Sequence, residues 1–484
     1  MRRNVGRSGF GLARRAAAPS GARALLTAAA GAAVWLAATP AAASGFSVAR
    51  AGGEHGTPMT TNGTSLYYNP AGFAASQGTR VYLDITTAWR SASYEHTEAP
   101  SDYSQTGSRD VELAREANTH RGKLFNIIPS PAAFVSTKLG DLGLALGFST
   151  PFGGAARWGK NEDLEGNPSY QGLSDGGQRW YTIDGELRTS YLSFGVGYHL
   201  KDVGLSFGLA ANALLSSVKT LRARNADGSD NIVREGRTYL EASSLDFSLG
   251  LGVRYATQGD AWVVGASWQS APNFDGEVRM SGTLTNIYGP ADALAGGSTG
   301  DTDFTGNLPN VFRLGVEHRA SERIALRLFG DYQTWSAVKN HCVLPTDQTC
   351  DIQPNGTDKN GVTTVNQPRN WRDTFGVRLG ASYFLQDGPE IFWGLGYASN
   401  AIDDEYLEPA LMDFHALTPV VGARFQVAEP LALAVSYTQV IYFSRDTSGK
   451  SILDDQAAPS AGPDAGGKYS QSIGVLNVGA ELAF

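Results

Sequence analysis

Several arginines occupy positions where they could bind an anionic ligand. Arg254, Arg327 and Arg378 each stand at a polar position between apolar residues, in segments with a period of two. A guanidinium group can donate two parallel hydrogen bonds to a carboxylate, so this residue type suits a ligand with a carboxylate head. The same arginines could instead pair with acids such as Asp84 and Asp331 and hold parts of the chain together. Both interpretations require that these positions face a common interior.

No residue pattern in the chain indicates catalysis. Residues 462–468 approach the spacing of a phosphate-binding loop, but Tyr469 replaces the Ser or Thr that would bind magnesium, and no helix is predicted to follow. The chain has no G-x-S-x-G motif, and its 7 histidines are scattered. We therefore predict no catalytic residue, no metal site, no cofactor and no enzymatic activity.

The elements that would position the arginines are strands. In residues 245–255 apolar residues alternate with polar or small ones, and the same period recurs along the chain from about residue 80 onward. Successive side chains of a strand point to opposite faces, so each segment has one apolar face and one polar or small face. We predict fourteen strands, among them 80–91, 130–139, 142–150, 203–218 and 244–256.

The connection lengths distinguish a membrane barrel from a soluble sandwich. Six short links alternate with seven long ones, which include residues 270–308 and 337–370. Outer-membrane barrels have an even number of strands, short periplasmic turns and longer external loops. Because every backbone amide inside lipid needs a partner, a sheet that crosses the membrane must be closed. The sequence therefore predicts an all-β fold, a 14-stranded antiparallel transmembrane β-barrel over residues 80–484.

The composition agrees with many short strands rather than membrane helices. Glycine accounts for 58 of 484 residues, and charged residues are only 18%, against roughly 7% and 25% in ordinary globular proteins. A helical membrane protein would need repeated apolar runs of about 18 residues or more, and the sequence has none after residue 40.

The first 43 residues are predicted to be a cleavable signal peptide. They contain six arginines and no acid, an apolar stretch from Ala24 to Ala38, and a small-residue end near Ala43. The full chain has a net charge of −8, and loss of this segment would make it more acidic. Binding of nucleic acid requires clustered basic residues that neutralise phosphates, so we predict no nucleic-acid partner.

Cys342 and Cys350 lie in the predicted loop 337–370, on the exported side of the membrane. An oxidising compartment favours a disulfide between them. A metal site that includes the adjacent His341 is the alternative, but only three possible ligands cluster there. We predict the disulfide.

The segment before the first strand carries motifs of a known family. Residues 44–48 (SGFSV) are followed by residues 65–72, which contain Asn69-Pro70-Ala71. Further matching pieces are Pro151-Phe152-Gly153, Leu308-Pro309-Asn310, residues 331–336 (DYQTWS), residues 371–375 (WRDTF) and the terminal Phe484. In their order and spacing these pieces resemble the long-chain fatty acid transporter family (FadL and its aromatic-hydrocarbon relatives), over essentially the whole mature chain.

The resemblance implies a route for the substrate. Residues 44–79 would form a plug, or hatch, in the barrel lumen, with Gly45, Phe46 and Val48 lining a ligand pocket. A hydrophobic substrate would land in an apolar groove among the external loops and then enter this pocket. Movement of the plug would release it through a lateral gap at a kink in the third strand.

Local residues suggest where the kink and the groove lie. Proline lacks an amide and glycine weakens strand pairing, so the candidates for the kink are Gly147, Pro151, Gly153 and Gly154. The third strand itself is predicted to be short and regular up to Thr150.

Apolar residues in predicted loops could form the groove; they are Phe125, Ile127, Ile128, Pro129, Phe152, Trp158 and Trp180.

The resemblance implies passive uptake of hydrophobic molecules, with long-chain fatty acids as the favoured substrate. Aromatic hydrocarbons, which need no arginine at the pocket, are one alternative. An open porin and a surface barrel that acts in adhesion through its long loops are others. We expect a monomer in the outer membrane of a Gram-negative bacterium. Its partners would be the hydrophobic substrate, outer-membrane lipid and lipopolysaccharide, and the barrel assembly machinery during biogenesis.

Overall fold

Long antiparallel strands account for most of the structure, a computed structural model that describes residues 50–97, 111–165, 170, 172–227, 231–292, 294–353, 358–386, 388–453 and 464–484. The strands are β1 (Thr79–His96), β2 (Gly122–Leu139), β3 (Leu142–Arg157), β4 (Asp184–Leu200), β5 (Leu205–Arg224), β6 (Gly236–Ala256), β7 (Trp262–Gln269), β8 (Glu277–Tyr288), β9 (Gly296–Asn307), β10 (Val311–Ser321), β11 (Ile324–Gln333), β12 (Asn340–Leu344), β13 (Val365–Pro368), β14 (Thr374–Phe384), β15 (Glu390–Ala398), β16 (Ala416–Ala428), β17 (Leu431–Tyr442), β18 (Arg445–Asp446) and β19 (Gly467–Ala483).

Helices in the described residues are short. The α-helices are Ser65–Tyr68, Gly72–Ala75 and Val111–Thr119. Single 3-10 turns are Gly53–His55, Glu162–Leu164, Leu173–Asp175, Gly177–Trp180, Lys201–Val203, Gln258–Asp260, Trp335–Ala337 and Asp404–Tyr406. Within the described ranges, no helix has the length and apolar character needed to cross a membrane.

Fourteen of the strands form a closed antiparallel ring. The order around the ring is β1-β2-β3-β4-β5-β6-β7-β10-β11-β14-β15-β16-β17-β19. The last strand pairs with the first from Arg80↔Ala483 to His96↔Gly467. The predicted 14-stranded antiparallel β-barrel is therefore confirmed.

The strands continue further at the long-loop end than the sequence predicts. β6 begins at Gly236 rather than at residue 244, and β2 begins at Gly122 rather than at residue 130. The predicted loops 270–308 and 337–370 contain β8, β9, β12 and β13, which extend the rim of the barrel from β6. Those loop assignments were wrong for these residues. Beyond the lipid an outward side chain need not be apolar, so the alternation fades while the backbone ladder continues.

The outer wall of the barrel is apolar and exposed, the reverse of a soluble protein. On β4, Leu192 and Phe194 are 49% and 52% exposed, whereas Ser193 between them is 3% exposed. A band of large exposed apolar side chains is the surface that lipid requires. The polar faces of the strands consequently point into the lumen.

Candidate functional site

Residues 50–78, which we call the inner segment, contact the inward face of the barrel. The Gly52 amide donates to Asp84 of β1 at 3.0 Å, and the Ser267 hydroxyl of β7 donates to the Tyr68 carbonyl at 2.6 Å. β1 and β7 lie on opposite sides of the ring. The inner segment therefore lies inside the barrel, bonded to both sides.

The Asn69-Pro70-Ala71 motif fixes the middle of the inner segment. The buried Asn69 side chain donates its Nδ2 to the carbonyls of Pro58 at 2.7 Å and of Val253 on β6 at 2.9 Å. Its Oδ1 accepts the Ala71 amide at 3.1 Å. One amide side chain thus bonds the inner segment both to itself and to the wall.

Glycines on β5 and β6 make room for this motif. A Cβ atom at Gly252 would lie 1.9 Å from Oδ1 of Asn69, and one at Gly208 would lie 2.1 Å from the carbonyl carbon of Pro70. The Pro70 backbone cannot move aside as a flexible side chain can, and the Asn69 side chain is held by three hydrogen bonds. The motif therefore requires glycine at both positions.

The three predicted arginines face the lumen but do not gather in one pocket. Arg254 donates its Nε to the Met59 carbonyl of the inner segment at 2.9 Å. Arg327 lies 3.9 Å from Glu317, and Arg378 borders a separate cavity lined in part by the inner segment. In this arrangement Arg254 holds the inner segment to the wall, which is the alternative to ligand binding considered above.

An apolar cavity lies at the long-loop end of the barrel. We call it the outer chamber; its walls include Arg90, Leu187, Arg222, Leu240, Val343 and Met412. Its empty volume, counted with the open mouth, is about 1100 Å³. Ligand sites are typically apolar cavities with a few placed polar groups, and the lining of this chamber has that character.

The predicted site residues do not include the arginines of the outer chamber. The side chain of Arg222, on β5, makes no hydrogen bond or ion pair with any described residue, although Arg224 and Arg369 lie near it. The nearby acid, Glu408, already pairs with Arg369 at 3.0 Å. Positive charge therefore exceeds negative charge around Arg222. Continuing the period of two from Ser206 along β5 places Arg222 on the inward face, so alternation carried past residue 218 would identify it.

The barrel wall is interrupted between β2 and β3. The two strands pair as far as Ala133↔Phe148, and their next bridge is the isolated pair Leu124↔Trp158. We call the unpaired stretch between these two contacts the lateral gap. In the same region the register of β3 against β4 shifts between Ser149 and Phe152.

The predicted kink residues lie at different places along this interruption. Gly147 is paired on both sides and lies below the lateral gap. Pro151 falls at the register shift, and Gly153 and Gly154 pair with β4 along the edge of the gap. The prediction of a third strand that is short and regular up to Thr150 was wrong, because the strand is irregular after Ser149 and continues to Arg157. A proline cannot donate to the ladder, which accounts for the shift at that point.

The predicted groove residues do not form one groove. Phe125 and Ile127 belong to β2 and are 65% and 63% exposed on the outer wall, and Ile128 and Pro129 lie in the same strand rather than in a loop. Phe152, a predicted ligand contact, is buried, and its ring centroid lies 6.2 Å from that of Tyr191 and 6.1 Å from that of Trp335. Trp158 is buried in the same apolar cluster as Phe152, whereas Trp180 packs in another.

The other predicted positions are accounted for as follows. Gly45, Phe46, Val48 and the predicted signal peptide lie outside the described residues. The sulfur atom of Cys342, in β12, is bonded to the sulfur atom of Cys350. In the part of the chain that the structure describes, no group of three or more His, Cys, Asp or Glu side chains could hold a metal ion.

Asp413, in the connection between β15 and β16, should make that loop sensitive to pH. Burial raises the pKa of the Asp413 carboxyl to about 6, although its oxygen accepts the Ala401 amide. The stabilisation that the raised pKa provides is complete below the unfolded-state pKa, near 4, and is lost as the pH rises through 6. We expect the backbone amides of residues 399–415 to exchange faster, after correction for intrinsic rates, at pH 7.5 than at pH 5.

Asp413→Asn should flatten this dependence, because the amide stays neutral at both pH values. Two pKa units correspond to about 3 kcal/mol at most, so the difference in local protection should be measurable by hydrogen exchange. The neighbour Asp403, whose side chain is 39% exposed and lies 2.8 Å from Arg372, gives a control in Asp403→Asn, which should keep the wild-type dependence. A wild-type loop with equal protection at both pH values would contradict the prediction.

Comparison with known proteins identifies the family. The sequence matches the family described as outer membrane protein transport protein (OMPP1/FadL/TodX) over residues 23–484. Among curated protein sequences, none matches the chain.

Several solved structures share the fold. A Pseudomonas aeruginosa FadL homologue has a TM-score of 0.68 and 14% identity, covering 92% of this chain and 99% of that chain. The P. putida toluene transporter TodX has a TM-score of 0.61 and 13% identity, covering 88% of this chain and 94% of that chain. The CymD monoaromatic hydrocarbon channel has a TM-score of 0.55 and 14% identity, with coverages of 87% and 93%. At these identities the likeness establishes the fold alone.

The family match confirms the predicted class of protein, an outer-membrane transporter of hydrophobic molecules and not an enzyme. The match extends over the strands, the inner segment and the loops that bound the outer chamber. The chain belongs to the OMPP1/FadL/TodX family of outer membrane transport proteins.

Proposed function

We propose that this transporter takes up long-chain fatty acids passively, by a route in which three parts of the molecule take part. The outer chamber binds the ligand, residues 44–79 act as the plug of a barrel formed by residues 80–484, and the lateral gap is the exit. Residues 1–43 are the export signal that is removed. Gly45, Phe46 and Val48 remain candidates for the plug residues nearest the ligand.

The observation that carries this proposal is an unpaired guanidinium group in an apolar chamber. Arg222 borders the outer chamber without a hydrogen bond or ion pair to any described residue, beside apolar walls that include Leu187 and Leu240. An alkyl chain gains about 0.8 kcal/mol per buried CH₂ group on such walls. A carboxylate head would supply the charge that Arg222 lacks. A long-chain fatty acid combines both features.

Uptake of aromatic hydrocarbons is the second candidate. Phe152, Tyr191, Trp335 and Trp371 form an aromatic cluster, with the two tryptophan ring centroids 5.4 Å apart. Flat rings stack favourably on such side chains without any charged contact. TodX and CymD, whose folds are similar, are a toluene transporter and a monoaromatic hydrocarbon channel.

Binding to the purified, refolded barrel distinguishes the two candidates. We expect palmitate to bind at least about tenfold more tightly than hexadecanol, because only the acid satisfies Arg222. Arg222→Gln should reduce this preference severalfold and leave hexadecanol binding unchanged. Arg424→Gln is the control, since Arg424 is 2.6 Å from Glu481 at the short-turn end of the barrel.

Each result has a definite meaning for the substrate. Binding of toluene without binding of palmitate would replace the fatty acid proposal by hydrocarbon uptake. Equal affinity for palmitate and hexadecanol in the wild type would remove the role of Arg222. Absence of binding for every apolar ligand would contradict the proposed chamber.

A further inference from the structure

A second arginine connects the outer chamber to the lateral gap. Arg90 lies on β1 with its side chain 1% exposed. Its Nη1 donates to the Ala155 carbonyl of β3 at 2.8 Å, and its Nε donates to Oε1 of Gln471 on β19 at 3.2 Å. β2 lies between β1 and β3 in the ring. The Arg90 side chain therefore crosses the inner face of β2 and bonds the far edge of the lateral gap.

The acceptor is a carbonyl group in the stretch where β3 has left β2. Ala155 lies between Phe148, where pairing with β2 ends, and Trp158, where one bridge re-forms. A buried carbonyl needs a donor, and in the lateral gap no ladder supplies one from β2. Arg90 supplies it. Across the gap the Ala155 side chain also packs on Ile128 of β2.

The Arg90 guanidinium group also has a hydrogen-bond donor that is not used, and Arg90 lines the outer chamber. Arg90 lines the outer chamber, and its Nη2 is buried without a hydrogen-bond partner among the described residues. None of the ion pairs found in the described ranges includes Arg90. A buried cation without an anion is unfavourable, and a carboxylate is its strongest partner. A carboxylate that bonded Nη2 from the chamber would pull the guanidinium group toward itself and away from the Ala155 carbonyl, which accepts from Nη1.

We propose that Arg90 is a positioning residue that couples the charge of a bound ligand to the lateral gap. Without ligand, Arg90 holds the β3 edge inward through Ala155. A carboxylate in the outer chamber draws the guanidinium group away, and the β3 edge is then held to β2 only by side-chain packing. The inference rests on the proposed fatty acid function for its ligand, but the contact between Arg90 and Ala155 does not depend on it.

Because only an anionic ligand can bond Arg90, this coupling would allow release of charged ligands and not of neutral ones. A neutral molecule of equal length fills the same apolar chamber but offers no anion to Arg90. It would bind without loosening the β3 edge. The transporter would then discriminate acids from alcohols and hydrocarbons by the opening of the gap as well as by affinity.

Hydrogen exchange of residues 149–157 tests the proposal on the folded, full-length barrel. In the wild type we expect saturating palmitate to speed exchange of these amides at least about fivefold and hexadecanol to leave it unchanged. In Arg90→Gln the same amides should exchange fast without ligand, and palmitate should add nothing. Arg90→Lys keeps the charge but lacks the fork that bonds Gln471 and Ala155 together, so it should also exchange fast without ligand.

Controls separate this inference from the proposed function. Arg424→Gln should behave as the wild type, and unboiled electrophoretic mobility checks that each barrel is folded. If Arg90→Gln does not fold, the Lys variant carries the test. Slow exchange in a folded Arg90 variant, or palmitate that binds and leaves wild-type residues 149–157 unchanged, would overturn the inference. If palmitate does not bind at all, the proposed function fails, while fast exchange in ligand-free Arg90→Gln would still establish the brace between β1 and β3.

Discussion

Gly252→Leu is expected to convert the transporter into an open ion channel. The substitution places a side chain where Oδ1 of Asn69 now lies, 1.9 Å from the position of a Cβ atom. The Asn69 side chain bonds the inner segment to the Val253 carbonyl. A leucine side chain at position 252 should therefore displace the Asn69-Pro70-Ala71 motif from the barrel wall. A barrel of fourteen strands encloses more space than its own side chains fill, and we expect steady conductance at least about tenfold above the wild type. Single barrels in planar lipid bilayers provide the measurement.

A matched glycine substitution controls for added bulk. A Cβ atom at Gly300, on β9, would meet no atom within 4 Å. Gly300→Leu should therefore conduct as the wild type does. Deletion of residues 44–60 should raise conductance as Gly252→Leu does. A folded deletion variant with wild-type conductance would refute the proposal that this segment plugs the barrel.

The fold could be predicted because lipid imposes a regular pattern. Inside the membrane the outward face must be apolar, and Leu192 and Phe194 alternate with Ser193 for that reason. This alternation of apolar and polar residues is imposed only where the strands cross the lipid. β6 continues to Gly236, eight residues beyond its predicted start at residue 244, because the ladder needs only backbone groups there.

The site could be predicted only where its residues share that pattern. The inward position of Arg254 follows from alternation, but its bond to Met59 depends on a segment that has no period of two. Arg222 lies beyond the predicted end of its strand. Arg90 has the same parity as Asp84 within the predicted first strand, so its inward position could be inferred. Its contact with Ala155 could not, because it depends on β3 leaving β2.

The separation of β3 from β2 is a long-range property with only a local hint. Pro151 indicates an irregular strand, but a single proline does not indicate which of the two neighbouring strands stops pairing with β3. In the structure the pairing with β4 resumes at Phe152, whereas the pairing with β2 stops at Phe148. The Arg90 side chain, which bonds Ala155 where the pairing with β2 is absent, comes from a third strand that local sequence does not reveal.

A disulfide across the lateral gap should abolish transport without abolishing binding. Ile128 and Ala155 pack against each other from opposite edges of the gap, so we choose Ile128→Cys with Ala155→Cys as the pair to join β2 to β3. We expect fatty acid uptake by cells that lack another such transporter to fall at least about tenfold, and a reductant to restore it. Palmitate affinity should remain within about threefold of the wild type, because Arg222 in the outer chamber is unchanged.

The control disulfide joins the same two strands where they are already paired. Ser136 and Ala145 lie opposite each other below the gap, and Ser136→Cys with Ala145→Cys adds a bond without closing any opening. Both variants keep the native bond between Cys342 and Cys350, so the effect of the reductant on that bond is common to them. Full uptake through the oxidised Ile128→Cys, Ala155→Cys barrel would show that the substrate leaves by another route. Loss of uptake in that barrel alone would assign the exit to the stretch where β3 leaves β2.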